Sequence, residues 1–203
     1  MICDFINLIG ERKPFFIKDI ENFISSAYDG EFDIFFSELL KEGKIREIIP
    51  GVYYFPSSDK RFHHLMPSIE DVIKKLYLND FSGLRTGYWL IYKHKLTTQV
   101  SFRYEIISNN SWDDILLKEK YRVKLTVSKP PVKLTENNFH LIEFLEVLKN
   151  IDLSEYNKKT TFKIIQKHFC FDKEEKEYLL FLLSNYPKQE ANNIKLFFDV
   201  FFV

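Results

Sequence analysis

Basic and hydroxyl side chains in the first third of the chain are of the types that contact nucleic acid. A lysine or arginine neutralises a phosphate, and a serine hydroxyl hydrogen-bonds a base edge or a phosphate. Their positions fall on two predicted helices, on the first strand of a predicted hairpin and just after that hairpin. The residues are Lys18, Ser37, Lys41, Lys44, Arg46, Lys60 and Arg61. Together they could form a modest set of contacts to DNA phosphates and base edges.

Acidic side chains crowd the same segment and favour a different interpretation. Residues 1–61 carry 8 basic and 11 acidic side chains, and Asp29, Glu31, Asp33, Glu38 and Glu42 surround the predicted third helix. Carboxylates accept hydrogen bonds from cytosine, but in number they repel the DNA backbone. The alternative is a protein-interaction module that keeps a DNA-binding fold and has lost DNA binding.

No catalytic motif accompanies these residues. The chain lacks the GxxxxGKS/T, HExxH, CxxC, GxSxG and GxGxxG patterns. His63 and His64 are adjacent but have no carboxylate at ligand spacing, and His168 with Cys170 supplies only two nearby metal ligands. We therefore expect no enzyme activity, no metal and no cofactor.

Three helices are predicted to position the DNA-contacting side chains. The first two cover residues 2–9 and 16–27, and Tyr28-Asp29-Gly30 is a turn signal. In the third, five apolar residues recur at i, i+3, i+4, i+7 and i+8, which makes one stripe of an amphipathic helix. They are Phe32, Phe35, Phe36, Leu39 and Leu40.

A hairpin follows the third helix. Gly43 suits the end of the helix, and Pro50-Gly51 suits a type II turn between two β-prone runs at 44–49 and 52–55. Three helices and a hairpin predict an N-terminal winged helix-turn-helix domain over residues 1–61. The predicted fold class is α+β, with this domain followed by a mixed α/β domain over residues 62–203.

The second domain is predicted from alternating helical and strand patterns. Residues 57–68 are expected to be a linker, and Thr135 is expected to cap a helix. The predicted helices are 69–79, 84–92, 136–150, 158–169 and 173–186, and the predicted strands are 100–108 and 121–128. The last ten residues, IKLFFDVFFV, fit a helix or a strand.

The middle of the chain is its basic part. Residues 62–134 carry 12 basic and 7 acidic side chains. Because Arg122, Lys124 and Thr126 alternate with apolar residues, we expect them to project from one face of a strand. This face is either simply solvated or a patch that binds RNA, DNA or an acidic protein partner.

The sequence also predicts the compartment. No apolar run approaches about 18 residues, and the first residues lack a basic stretch followed by a long apolar one. Two cysteines, Cys3 and Cys170, do not make a disulfide framework. We expect a cytoplasmic protein with no membrane partner.

Two stretches resemble a known family. The run LLKEGKIREIIPGVYYFP resembles the N-terminal winged-helix signature of AbiEi-type antitoxins, in which a leucine-rich helix ends in Gly and a hairpin ends in a Gly-Val-Tyr element. Here that element is Gly51, Val52 and Tyr53. The run SGLRTGYWLIYKHKLTTQVSFRYEIISN is similar to the family's next helix, Leu-Thr-Thr-Gln step (residues 96–99) and strand. The resemblance spans most of residues 15–150.

The resemblance implies a function. AbiEi-type antitoxins are the regulator half of a type IV toxin–antitoxin system. The resemblance implies an antitoxin that binds operator DNA through the N-terminal domain and so represses its own operon. It also implies that the remaining region counteracts a cognate nucleotidyltransferase-like toxin, with or without direct contact.

Overall fold

Helices and two small sheets alternate along the chain, which confirms the predicted α+β class. A computed structural model describes residues 2–24, 32–151 and 158–201. The chain divides into two units, Met1–Leu76 and Tyr77–Val203. The boundary predicted after residue 61 therefore lies inside the first unit.

Residues 57–68, which we expect to be a linker, are joined to the rest of the first unit by hydrogen bonds. The Glu11 carboxylate accepts hydrogen bonds from the Ser57 hydroxyl and the Ser58 N–H, both at 3.0 Å. Farther along, Lys13 Nζ lies 2.8 Å from Asp71 Oδ1. These bonds join residues more than 40 positions apart, so sequence pattern alone does not reveal them.

The first unit consists of short helices and one antiparallel sheet. Its elements are α1 (Ile2–Ile9), β1 (Pro14–Phe15), α2 (Ile17–Ile24), α3 (Phe32–Lys41), β2 (Arg46–Ile49), β3 (Val52–Tyr54) and α4 (Ile69–Tyr77), whose last residue begins the second unit. The three predicted helices and the hairpin are thus present. The predicted end of the second helix at residue 27 and the Tyr28-Asp29-Gly30 turn lie outside the described residues.

The apolar stripe of α3 forms the core of the first unit. Phe36 and Leu39 are buried, and the Phe36 ring meets the Tyr53 ring edge-on at a centroid distance of 5.0 Å. The other stripe residues, Phe32, Phe35 and Leu40, are partly buried against the same cluster. Burying one such side chain contributes about 1.5–3 kcal/mol, so the predicted stripe is what holds α3 in place.

Strand β1 was not predicted. It pairs with β3, and the sheet order is β1-β3-β2. Phe15 stacks on Phe55 at a centroid distance of 4.9 Å, and the Asp19 carboxylate accepts the Phe16 N–H at 2.6 Å where α2 begins. At the hairpin turn Gly51 has φ +82, as a type II turn requires.

The second unit has one three-stranded sheet and a helical layer. Its elements are β4 (Gly83–Arg85), α5 (Gly87–Lys93), β5 (Arg103–Ser108), α6 (Asp114–Tyr121), β6 (Lys124–Ser128), α7 (Phe139–Asn150), α8 (Lys158–His168), α9 (Lys173–Leu183) and α10 (Lys188–Phe201). The helical prediction for residues 84–92 is wrong at its start. Leu84 pairs antiparallel with Ile107, and the helix begins only at Gly87.

Helix α6 replaces the start of a predicted strand. The Asp113 carboxylate accepts the N–H groups of Ile115 and Leu116, which caps the helix, and Arg122 ends it with φ +53. The strand predicted from residue 121 therefore begins at Lys124 and runs parallel to β5. A parallel pair needs a crossover, and α6 is part of that crossover.

Helix α7 lies at the centre of the helical layer. It packs against α5, α9 and α10, and its residues 141–148 are all buried. The predicted cap at Thr135 is wrong, because the N-cap is Asn138, whose side-chain oxygen accepts the Thr135 N–H at 2.8 Å. Residues 194–201 of the ambiguous C-terminal run belong to α10, and residues 202–203 lie outside the described residues. In the described part of the chain no helix is long and apolar enough to cross a membrane.

Candidate nucleic-acid interface

The outward face of α3 carries two of the predicted DNA-contacting residues. Lys41 is exposed at the C-terminal end of the helix, but the Ser37 hydroxyl donates to the Ile34 carbonyl at 2.8 Å. Asp33 and Glu38 are exposed on the same helix, and the Ile34 side chain is 64% exposed. The face therefore offers one cation, two carboxylates and an unusually open apolar side chain.

Several of the other predicted DNA contacts already have partners within the first unit. Lys44 Nζ pairs with Glu42 Oε2 at 2.6 Å, and Arg46 donates to the His63 carbonyl at 3.1 Å. Arg61 forms a two-pronged contact with Asp59, which lowers the pKa of that carboxyl. The Lys18 ammonium lies 5.1 Å from the centre of the Phe16 ring.

Two of these cations share a groove of about 520 Å³ in the first unit. Lys44 and Lys60 line it together with His63 and Glu11. We call it the Lys60 groove. The Glu11 carboxylate is stabilised in its ionised form by the hydrogen bonds from Ser58 and Ser57, which lower its pKa. The groove thus combines two basic side chains with one carboxylate, which limits its attraction for phosphate.

The second unit contains a groove of about 600 Å³ in which Arg122 and Lys124 do meet. Its lining also includes Arg103, Tyr88 and Phe102. We call it the Phe102 groove. The prediction that Arg122 and Lys124 lie on one strand face is wrong for Arg122, because that residue ends α6 in a left-handed conformation. Lys124 and Thr126 are both exposed on β6, as expected.

Sheet register explains why Arg103 joins this groove. Arg103 pairs with Lys124 across the parallel ladder of β5 and β6, so both side chains leave the sheet on the same face. Glu105, two residues along the same face, lines the groove as well. Its carboxylate lies against Gly87, which has φ +66 and leaves no room for a Cβ atom. Sequence reasoning missed Arg103, because only the crossover through α6 brings it beside Lys124.

A buried polar cluster in the second unit was also missed. Glu143 on α7 accepts hydrogen bonds from Lys93 Nζ at 2.6 Å and from His94 Nε2 at 3.0 Å. Burial opposes ionisation of Glu143, but these two bonds outweigh it and lower the pKa of the carboxyl. The cluster joins the end of α5 to α7. Lys93 and His94 therefore both hold this carboxylate.

His168 is the last residue of α8, and Cys170 lies two residues beyond it. Among the residues that the structure describes, no group of three or more His, Cys, Asp or Glu side chains could hold a metal ion. The rings of His94 and His168 lie 5.2 Å apart, while Cys170 is exposed and its thiol donates to the Gln166 carbonyl.

The chain matches no family model and no curated protein sequence. The resemblance to AbiEi-type antitoxins therefore remains a prediction that depends on the residues quoted above.

Proposed function

We propose that the first unit is a winged helix-turn-helix and that the chain is an antitoxin-like transcriptional regulator. The observation that carries the proposal is the order helix, strand, helix, helix, strand, strand, combined with the sheet order β1-β3-β2. This is the connectivity of winged helix domains, in which the third helix enters the major groove of DNA. A fold alone does not establish function, so the contacts must be argued separately.

The DNA contacts of this proposal come from the end of α3 and from the Lys60 groove. Lys41 and Lys60 are exposed and, within the described residues, form no ion pair. Lys44 is paired with Glu42, but both side chains are more than half exposed. Exposed pairs of this kind contribute about 0–1 kcal/mol, so a phosphate can replace the carboxylate at little cost. Arg46 holds the His63 carbonyl and so supports the groove as well as binding DNA.

The experiment measures binding of the full chain to a duplex from its own promoter at several salt concentrations. Lys41→Ala and Lys60→Ala should each weaken binding by about fivefold, or about 1 kcal/mol, and lower the salt slope by about 0.9. Lys163→Ala, an exposed lysine on α8, is the matched control and should change neither quantity. Arg46→Ala is a poorer probe because it also releases the His63 carbonyl.

The absence of any salt-dependent binding to the promoter duplex would refute the DNA-binding part of this proposal. The antitoxin part has its own test. Co-expression with a nucleotidyltransferase-like product of a neighbouring gene should relieve that product's growth inhibition. If the chain leaves the inhibition unchanged, it is not the antitoxin of that product.

The second candidate is a protein-interaction module that keeps the winged helix and has lost DNA binding. The observation that favours it is the composition of the α3 surface, which is poorly suited to DNA. The Ser37 hydroxyl is used within α3, Asp33 and Glu38 share the α3 surface, and Ile34 is exposed there. This candidate predicts a stable complex with a neighbouring gene product and indifference to duplex DNA. In that case Ile34→Asp would abolish the complex in size-exclusion chromatography, whereas Lys60→Ala would not.

A further inference from the structure

The Phe102 groove is lined by three cations, Arg103, Arg122 and Lys124. None of their charged side-chain groups forms an ion pair or a hydrogen bond within the described residues. This differs from the first unit, where Lys44 and Arg61 are bound to neighbouring carboxylates. Unpaired cations around one groove create a positive potential that attracts an anionic ligand.

The same groove presents open aromatic rings. Phe102 is 91% exposed, and Tyr88 is 46% exposed. Phe102 makes no ring contact with another described residue. An exposed phenylalanine does not stabilise the free protein by hydrophobic burial, because its apolar surface remains in water. Its ring faces are therefore open for a planar ligand to stack on.

We propose that the Phe102 groove binds single-stranded nucleic acid. Unpaired bases stack on Phe102 and Tyr88, and the connecting phosphates meet Arg103, Arg122 and Lys124. Aromatic platforms beside a positively charged track are the means by which proteins hold single strands without reading a sequence. This inference goes beyond the proposed function and does not depend on it, because the groove lies wholly in the second unit.

Two features favour this ligand over an acidic peptide or a duplex. A peptide of Asp and Glu residues would satisfy the cations but would leave the Phe102 ring in water. In a duplex the bases are stacked on one another, so their faces do not reach a side chain. Among the described residues that line the groove, Glu105 is the one carboxylate, and with three cations the net charge of this lining remains positive. Gln99 and Glu105 also offer hydrogen-bonding groups for base edges.

The test is fluorescence anisotropy of the full chain with labelled oligouridylate and oligodeoxythymidylate of about 12 nucleotides, a length within the usual site size. With three phosphate contacts, the logarithm of the affinity should fall with the logarithm of the salt concentration with a slope of about −2. Phe102→Ala should weaken binding by about 5- to 100-fold, and each of Arg122→Ala and Lys124→Ala should lower the slope by about 0.7.

Matched controls lie on the helices of the same unit. Phe181→Ala removes another exposed aromatic ring, from α9, and Lys163→Ala removes an exposed lysine, from α8. Neither should change the affinity. Because Phe102 and Lys124 are exposed, their replacement should leave the far-ultraviolet circular dichroism spectrum and the melting temperature unchanged.

Three outcomes would overturn the proposal. No binding of either oligonucleotide at low salt removes the site. Binding that is insensitive to Phe102→Ala means that charge alone attracts the strand. Complete competition by polyglutamate at equal charge concentration assigns the groove to an acidic peptide instead. Equal affinity for the two oligonucleotides supports a general single-strand site, whereas preference for oligouridylate supports an RNA site that senses the ribose hydroxyl.

Discussion

Replacement of Glu143 by Gln should destabilise the second unit in a way that depends on pH. Glu143 is 9% exposed and accepts hydrogen bonds from Lys93 and His94. A hydrogen bond to a charged group contributes about 1.5–3 kcal/mol, against about 0.5–1.5 kcal/mol for a neutral one. The amide of Gln keeps an acceptor in place but removes the charge. The Lys93 side chain is 44% exposed, so its share is reduced by solvent.

The expected loss is therefore about 1–2 kcal/mol at neutral pH, or about 3–8 °C in melting temperature. The pKa of Glu143 is lowered in the folded protein, so its contribution is complete above the usual carboxyl pKa of about 4.3 and is lost as the pH falls through the lowered value. Wild-type and variant stabilities should thus converge in acid.

Urea unfolding at several pH values provides the measurement. Glu177→Gln, an exposed glutamate on α9, is the control and should leave stability unchanged at every pH. Equal stability of wild type and Glu143→Gln at neutral pH would refute the reasoning. So would a difference that stays constant down to the acid limit, because it would then arise from shape and not from charge.

Two further substitutions test the second unit. Burial raises the pKa of Glu146 despite the opposing charge of Lys149, so ionisation of Glu146 costs stability as the pH rises through that raised value. In urea titrations, Glu146→Gln should therefore lose less stability than wild type between acid and neutral pH. In the variant, Lys149 keeps a second carboxylate partner, because Glu190 lies 3.0 Å away. Gly87→Ala should cost about 1–2 kcal/mol, because Gly87 has φ +66 and the new Cβ overlaps the Glu105 carboxylate. In thermal melts, the double variant Gly87→Ala/Glu105→Ala should recover only the part of the lost stability that comes from the overlap, and not the part that comes from the backbone conformation.

Long periodic segments were the predictable part of the fold. The stripe of α3 and the runs that became α8 and α9 follow from apolar spacing alone, since a helix that buries one face must repeat it every three or four residues. Short strands were not predictable. Strand β1 has two residues and β4 has three, and each is a strand only because a partner, β3 or β5, lies beside it. The residues of such a short strand do not by themselves indicate that pairing.

The candidate sites show the same limit. Sequence patterns identified Arg122 and Lys124 as a pair but placed both on one strand, because the capping signal of Asp113 ahead of α6 was overlooked. That signal, Asp113 just before a DILLK run, is present in the sequence. The sequence did not indicate that Arg103 and Phe102 line the Phe102 groove, because their positions there depend on the parallel register of β5 with β6. The Lys93 and His94 contacts with Glu143 likewise join residues about 50 positions apart.

Charge counts and charge pairing lead to different conclusions about where an anion binds. In the first unit, Lys44 and Arg61 each have a carboxylate two residues earlier in the chain, and both are paired with it. In the Phe102 groove the cations come from β5 and from the end of the α6 crossover, and Glu105 is turned toward Gly87. The described lining of the Phe102 groove therefore has three cations and one carboxylate, whereas that of the Lys60 groove has two cations and one carboxylate. If Arg122→Ala and Lys124→Ala weaken duplex binding as much as Lys60→Ala does, the second unit contributes to duplex binding, and the first unit does not account for it alone.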